Sequence, residues 1–235
     1  HQLNEFKAQI DRLVSDGMEQ EEALYKVLKE TIIASQNIRF EGDGYSDEWK
    51  DEAARRGLTN ICHVPEAIMK FNDPQSRSVL IGEKIFNENE LNCRIEVELE
   101  KFTKKVQIES RVLGDLAINH IVPTAVIYQN RLLENLRGLK EIFSTEEYEE
   151  MTADRKDLVR EIQRRILSIK KAVHDMTEAR KVANHLGSQV EKAFSYEEKV
   201  RPYLEEIREH IDSLELEIDD EIWPLPKYRE LLFTK

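Results

Sequence analysis

Turn-forming residues are scarce in this chain. Eight glycines and six prolines in 235 residues make about 6% of the sequence against roughly 12% in an average soluble protein, a scarcity that argues for helix. No stretch alternates apolar and polar residues with the period of a strand. Long apolar runs are missing too: the longest, such as Val79-Leu80-Ile81 and Ala125-Val126-Ile127-Tyr128, fall far short of the ~20 residues that a membrane helix needs. Cysteine is limited to Cys62 and Cys93, with no CxxC pair and no secretion signal at the start, which predicts a reduced, cytoplasmic environment. There is no basic arm or stripe, and a formal charge of -12 repels phosphate. Binding to nucleic acid or to an anionic membrane is therefore disfavoured, and the expected partners are proteins. The chain begins at His1 rather than Met, as a piece of something longer would.

What the sequence has in quantity is charge, 35% of residues, interleaved with 40% apolar residues at helical spacing. Leu3, Phe6, Ile10, Leu13 and Val14 predict a first helix that Gly17 ends, and Leu24, Val27, Leu28 and Ile32 predict a second over 19–34, with an acidic first turn. Between 35 and 87 the pattern breaks at Gly42, Gly44, Gly57, Pro65, Pro74 and Gly82 into short pieces. There, Ser46 or Asp47 caps a short helix stopped by Gly57, and Pro65 fits the first turn of another that runs to Phe71.

Asn87 and Glu90 then form a capping box, followed by an apolar stripe (Leu91, Ile95, Leu99, Phe102, Val106, Leu113, Leu116, Ile127, Leu132, Leu136, Phe143) with a kink or break expected near His120 because of Pro123. Ser144 caps the next helix, which runs to His185 and stops at Gly187. A last long helix spans 188–221, with a second kink at Pro202, and WPLPKYRELLF at 223–233 closes the chain with a short helix after Pro226. The short connections force antiparallel neighbours.

Each candidate site has a plainer reading beside it. A di-metal bundle needs Glu-x-x-His on two helices, but Asn60, Ala117, Lys171, Val182 and Ile207 stand three places before His63, His120, His174, His185 and His210. Cys62-His63 is the one adjacent Cys–His pair and reads as a half-buried turn rather than a zinc site. His120 reads as a helix-face residue bonding a carbonyl freed by Pro123, since no nucleophile stands at catalytic spacing. The acidic run Glu215, Glu217, Asp219, Asp220, Glu221 lacks the glycine and spacing of an EF-hand and reads as a solvated helix end offset by Lys227 and Arg229. Gly42-Asp43-Gly44, flanked by Glu41 and Asp47, reads as a turn rather than a phosphate cradle. Tyr45, Trp49, Trp223 and Tyr228 either anchor irregular segments or lie at an interface. No catalytic, cofactor-binding or metal-binding residue is assigned.

Three separated blocks carry a family likeness. NIRFEGDGYSDEW (37–49) with DEAARRGL (51–58), then ESRVLGDLAINHIVPTAVIYQNRLLENLRGLKEIF (109–143), then DDEIWPLPKYRELLF (219–233) resemble, in the same order, the C-terminal region of type III glutamine synthetases. The resemblance implies a parent ligase that joins ammonia to the side-chain carboxylate of glutamate, uses ATP with Mg or Mn, and assembles into ring-shaped homo-oligomers. It also implies that the catalytic sheet precedes this segment. Arg39-Phe40-Glu41 superficially echoes an active-site strand, but the order of blocks gives it no catalytic role.

The expected fold is all-α, a long antiparallel kinked helical bundle with an N-terminal helical hairpin and a short irregular helical segment. Residues 1–86 form the hairpin and irregular segment, and 87–235 form a three-helix bundle with its tail. The expected function is that of a non-catalytic domain, inactive alone and without a cofactor of its own, that packs against the catalytic domain of the same chain and neighbouring subunits. The alternatives are a free-standing helical interaction module and a cleft beside the irregular segment for a small regulator or peptide.

Overall fold

A computed structural model describes residues 2–232, the side chains of Tyr228 and Arg229 apart. Phe233, the last residue of the expected tail, and the side chains of Tyr228 and Arg229 therefore lie outside the described residues. Every regular element among the described residues is helical, and the chain divides into two compact units, residues 1–62 and 63–235.

In the first unit, α1 (Gln2–Ser15) and α2 (Gln20–Ala34) form the hairpin. Gly17 turns the chain between them at φ +95°, a conformation that costs a residue without Cβ little. Phe6, Ile10 and Leu13 of α1 are half-buried, and on α2 only Ala23 and Val27 are buried. Leu24, Leu28 and Ile32, expected on the inner face, stay 42%, 42% and 51% exposed, because two helices side by side cover only one narrow seam of each other. After a 3-10 turn at Gln36–Ile38, α3 (Asp47–Arg55) is capped by Ser46 rather than Asp47: the Ser46 hydroxyl accepts the Trp49 amide at 3.3 Å. The ring of Phe40 meets Trp49 in a tilted contact with centroids 4.8 Å apart, and the Arg56 guanidinium lies 6.0 Å from the centroid of the Phe40 ring. Gly42 leaves room beside this contact: a Cβ there would stand 2.6 Å from the Phe40 ring, which would have to shift. Hydrogen bonds from Arg55 and then Arg56 hold the Glu52 carboxyl down at about 2.

The second unit opens with α4 (Val64–Met69), carrying Pro65 in its first turn, a 3-10 turn at Lys70–Asn72, and α5 (Pro74–Gly82). The spacing does not announce α5. Pro74 starts it, Gly82 lies inside it, and the left-handed turn that ends it falls on Lys84 at φ +57°. Then come α6 (Glu88–Leu116), α7 (Val122–Ile142), α8 (Thr145–Asn184), α9 (Gln189–Ser195), α10 (Arg201–Glu217) and α11 (Tyr228–Leu231). The expected capping box forms at Asn87/Glu90, and the expected cap at Ser144 proves to be a second box, with Glu147.

The two prolines inside long helices neither break them nor leave them purely α-helical. Pro123 lacks an amide proton and its ring crowds the carbonyl four residues back, that of Asn119. The chain accommodates it with one wide π turn at Ala117–Ile121, closed by the Val122 amide donating to the carbonyl of Ala117. Ahead of Pro202 the same device recurs at Tyr196–Val200, closed by the Arg201 amide on the carbonyl of Tyr196. Helix therefore continues from Glu88 to Ile142, roughly 80 Å at 1.5 Å per residue. The extra residue in the turn also advances the buried stripe by one position. Ala117, Ile121 and Ala125 face inward, while Ile127, expected on the stripe, is 52% exposed.

The arms of the bundle are α6–α7, α8 and α9–α10. Contacts pair later residues of one arm with earlier residues of the next: Gln129 with Val159, Asn135 with Arg155, Gln107 with Asn184. The arms are therefore antiparallel. Ile162, Ile166, Ile169, Ala172 and Met176 of α8 share one core with Ile121 and Ala125 of α6–α7 and with Val200, Ile207, Ile211 and Leu214 of α9–α10. Gly114 lies against α8, with Met176 and Val173 at 3.5 Å from where its Cβ would stand, an ordinary packing distance. A second cluster, Leu91, Ile95, Leu99 and Ala193, packs against Ile68, Met69, Leu80, Ile81 and Phe86 from α4, α5 and the chain after them. Ile169→Ala should lower unfolding stability by about 2–5 kcal/mol through the cavity it leaves. Ile108→Ala, at a 61% exposed position, should change it by no more than about 0.5 kcal/mol, both read from urea midpoints.

Candidate functional site

The π turn at Tyr196–Val200 puts two adjacent side chains, Tyr196 and Glu197, on the buried side together, at 0% and 6% exposure. A buried carboxylate is costly unless paired and hydrogen-bonded. Glu197 Oε1 accepts from His63 Nδ1 at 2.8 Å and from Arg201 Nη1 at 2.8 Å, and its Oε2 accepts from the same Arg201 nitrogen at 3.1 Å. The two partners reach solvent while the carboxylate does not. Because His63 caps α4, this node ties the start of α4 to α10. Beside it lies a hollow of about 400 Å³ between α4, α6 and α10, walled by Val64, Ile68, Phe102 and Val106 with Lys105 and Arg201 at its edge. Tyr196 carries a second polar cluster: its hydroxyl donates to Asn184 Oδ1 at 2.8 Å, and Gln107 donates to the same oxygen at 3.3 Å. Burial pushes the Tyr196 phenol up, so it serves as a neutral donor.

The structure disperses the other residues singled out from sequence. Cys62 is exposed and apart from the bond that His63 makes. His120 is exposed, and the backbone disruption at Pro123 is absorbed by the wide turn rather than by its imidazole. His185 Nδ1 contacts the carbonyl of Lys181 at 2.7 Å. Asp43 accepts the Tyr45 amide at 2.9 Å and the Ser46 hydroxyl bonds the Asp43 carbonyl at 2.7 Å, so Gly42-Asp43-Gly44 is a turn closed on itself. In the acidic run, Asp219 pairs with Arg131 at 3.2 Å, and Lys227 binds Asp220 and the carbonyl of Glu215. Trp223 is buried in the main core, with Lys227 over its ring, while Tyr45 is 97% exposed.

ATP with a divalent metal, which the family likeness implies, asks for convergent carboxylates and cations around phosphate. Among the described residues no group of three or more His, Cys, Asp and Glu side chains is placed to hold a metal ion. The turn at 42–44 spends its polar atoms on itself, with carboxylates alongside. Among the described residues, the donors of this turn do not fit that group. The Glu197 node balances charge and joins the start of α4 to α10.

Glu197→Ala leaves Arg201 and His63 without their acceptor, and should cost about 1–3 kcal/mol with faster hydrogen exchange at α4. Glu217 offers a pH test. Its Oε2 is buried without a hydrogen-bond partner, and burial raises its carboxyl above the ordinary 4.5, with Arg165 opposing and Glu161 adding to the rise. An acid whose folded value is raised destabilises the fold when ionised, so the cost is full above that raised value and gone below the ordinary one. Glu217→Gln should therefore unfold at higher denaturant than the parent at neutral pH, with the difference vanishing in acid below 4.5.

Comparison with known proteins agrees with the three sequence blocks. Residues 23–140 match the family model described as the glutamine synthetase C-terminal domain. A glutamine synthetase of Bacteroides fragilis (strain YCH46) is 74% identical over all 235 residues, which cover 32% of that protein. A type-3 glutamine synthetase of Dictyostelium discoideum is 27% identical over 91% of this chain and 29% of its own length. A glutamine synthetase of Butyrivibrio fibrisolvens is 28% identical over 93% and 31%. The chain thus spans about a third of the length of the curated relatives it matches. With half of its residues covered by the family match and the all-helical architecture in place, the chain belongs to the glutamine synthetase C-terminal domain family.

Proposed function

We propose that this chain is the helical, non-catalytic part of a type III glutamine synthetase, a cytoplasmic enzyme that uses ATP and Mg or Mn to join ammonia to glutamate. In that reading it packs against the catalytic part of the same polypeptide and against neighbouring subunits of a ring-shaped homo-oligomer. The family match supplies the enzyme class. The observation that carries the packing role is the solvent side of α6–α7, where Ile108, Val112 and Ile127 are 61%, 51% and 52% exposed. Apolar side chains set along a rigid helical rod, rather than around a pocket, suit contact between proteins. None of the described helices is long and apolar enough to cross a membrane, which accords with a cytoplasmic site of action.

Two measurements test this reading. The 235-residue chain, given ATP, Mg, ammonia and glutamate, should form no glutamine, and measurable turnover would overturn the non-catalytic role. In the longer enzyme, Val112→Asp should shift sedimentation toward smaller assemblies while helical content is unchanged. An unaltered assembly would remove the α6–α7 face from subunit packing.

A further inference from the structure

The first unit is too thinly cored for the apolar surface it presents. Its buried apolar side chains are Ala23, Val27 and Ala53, two of them no larger than a methyl group. On α2, meanwhile, Leu24, Leu28 and Ile32 repeat every four residues and remain 42%, 42% and 51% exposed, with Tyr25 and Ile33 beside them at 68% and 60%. A row at four-residue spacing is the ridge that one helix sets into the groove of another element. Units of this size bury too little surface to be comfortably stable alone. The row itself carries no charge, so what covers it must be apolar.

Two facts bear on the occupant. The relatives carry roughly twice as much chain again beyond the part matched here, and the family match, to a C-terminal domain, begins at residue 23, inside α2. The row is therefore within the portion shared with these enzymes, and α1–α2 is the element nearest in sequence to whatever precedes such a domain. A covalent link makes the encounter intramolecular, so a modest apolar face suffices for docking. Resting on the reading above, we propose that the α2 row Leu24, Leu28 and Ile32 is the face on which the preceding, catalytic portion of the longer glutamine synthetase chain docks, through an apolar helix or sheet surface of its own.

Hydroxyl-radical footprinting of the 235-residue chain and of the longer enzyme compares the two surfaces directly. Leu24, Leu28 and Ile32 should be labelled readily in the short chain and several-fold less in the long one. Leu28→Asp in the long enzyme should restore labelling at Leu24 and Ile32, since an exposed position tolerates the charge within the hairpin while an apolar contact does not. Equal labelling in both chains would overturn the proposal. So would protection already present in the short chain, which would mean that its own residues cover the row. If protection in the long enzyme is lost on dilution, the cover is another subunit, and the proposal again fails. A glutamine-formation assay on the same long chain separates the two readings: protection without turnover keeps the docking face and discards the enzyme class, and turnover without protection does the reverse.

Discussion

An amphipathic helix cannot leave its apolar stripe in water, and α8 carries a longer one than any single neighbour covers. At 40 residues it runs about 60 Å, and Ile162, Ile166, Ile169, Ala172 and Met176 are all buried along it. Isolated helices are marginal in water and draw most of their stability from such packing. Covering α8 takes an antiparallel arm on each side, α6–α7 before it in the chain and α9–α10 after it. Short connections at Phe143-Ser144 and 185–188 supply both. The tail that lays Trp223 into the core answers the same demand for dense packing.

The two arms flanking α8 each meet a proline, and each meets it in the same way. A π turn takes up the residue whose hydrogen bonding proline disrupts, and such turns recur where proteins place functional groups. In α6–α7 the turn re-aims the core stripe so that Ala125 rather than Ile127 faces α8. In α9–α10 it does more, bringing Glu197 and Tyr196 inward together. The carboxylate node with His63 and Arg201 and the phenol cluster with Asn184 and Gln107 are therefore products of one local irregularity. They join α4, α6, α8 and α10 where plain heptad packing would have placed apolar side chains.

Much of this architecture is legible in the residues. The capping boxes at Asn87 and Ser144, the turn at Gly17, the Ser46 cap and the antiparallel arms all follow from local chemistry that a sequence displays directly, and so does the all-helical class. What escapes is non-local or a matter of phase. The bond between His63 and Glu197 joins residues 134 positions apart, and Glu197 sits among so many helical acids that no pattern distinguishes it. The nearby signal was Pro202, whose remedy rather than presence decides where Glu197 points. Ile127 was misplaced for the same reason, because periodicity assumes an unbroken 3.6-residue turn. On α2, spacing showed an apolar face correctly, but spacing cannot say whether this chain supplies the cover. The family blocks remain the strongest functional signal, and they name the same family that the comparison with known proteins shows.

The wide turn ahead of Pro123 makes the rod a one-residue ratchet. Each residue added to or removed from an α-helix rotates everything beyond it by about 100°, so losing a single position from Ala117–Ile121 would swing the whole of α7 around its axis. Thr124 and Leu136 would leave the core, Ala125 would take the place of Thr124, and Val126 and Arg137 would be carried into the places of Ala125 and Leu136. Length in this short stretch is thus under tighter constraint than identity: exchanges of side chain there perturb one contact, whereas insertions and deletions re-index an entire arm of the bundle.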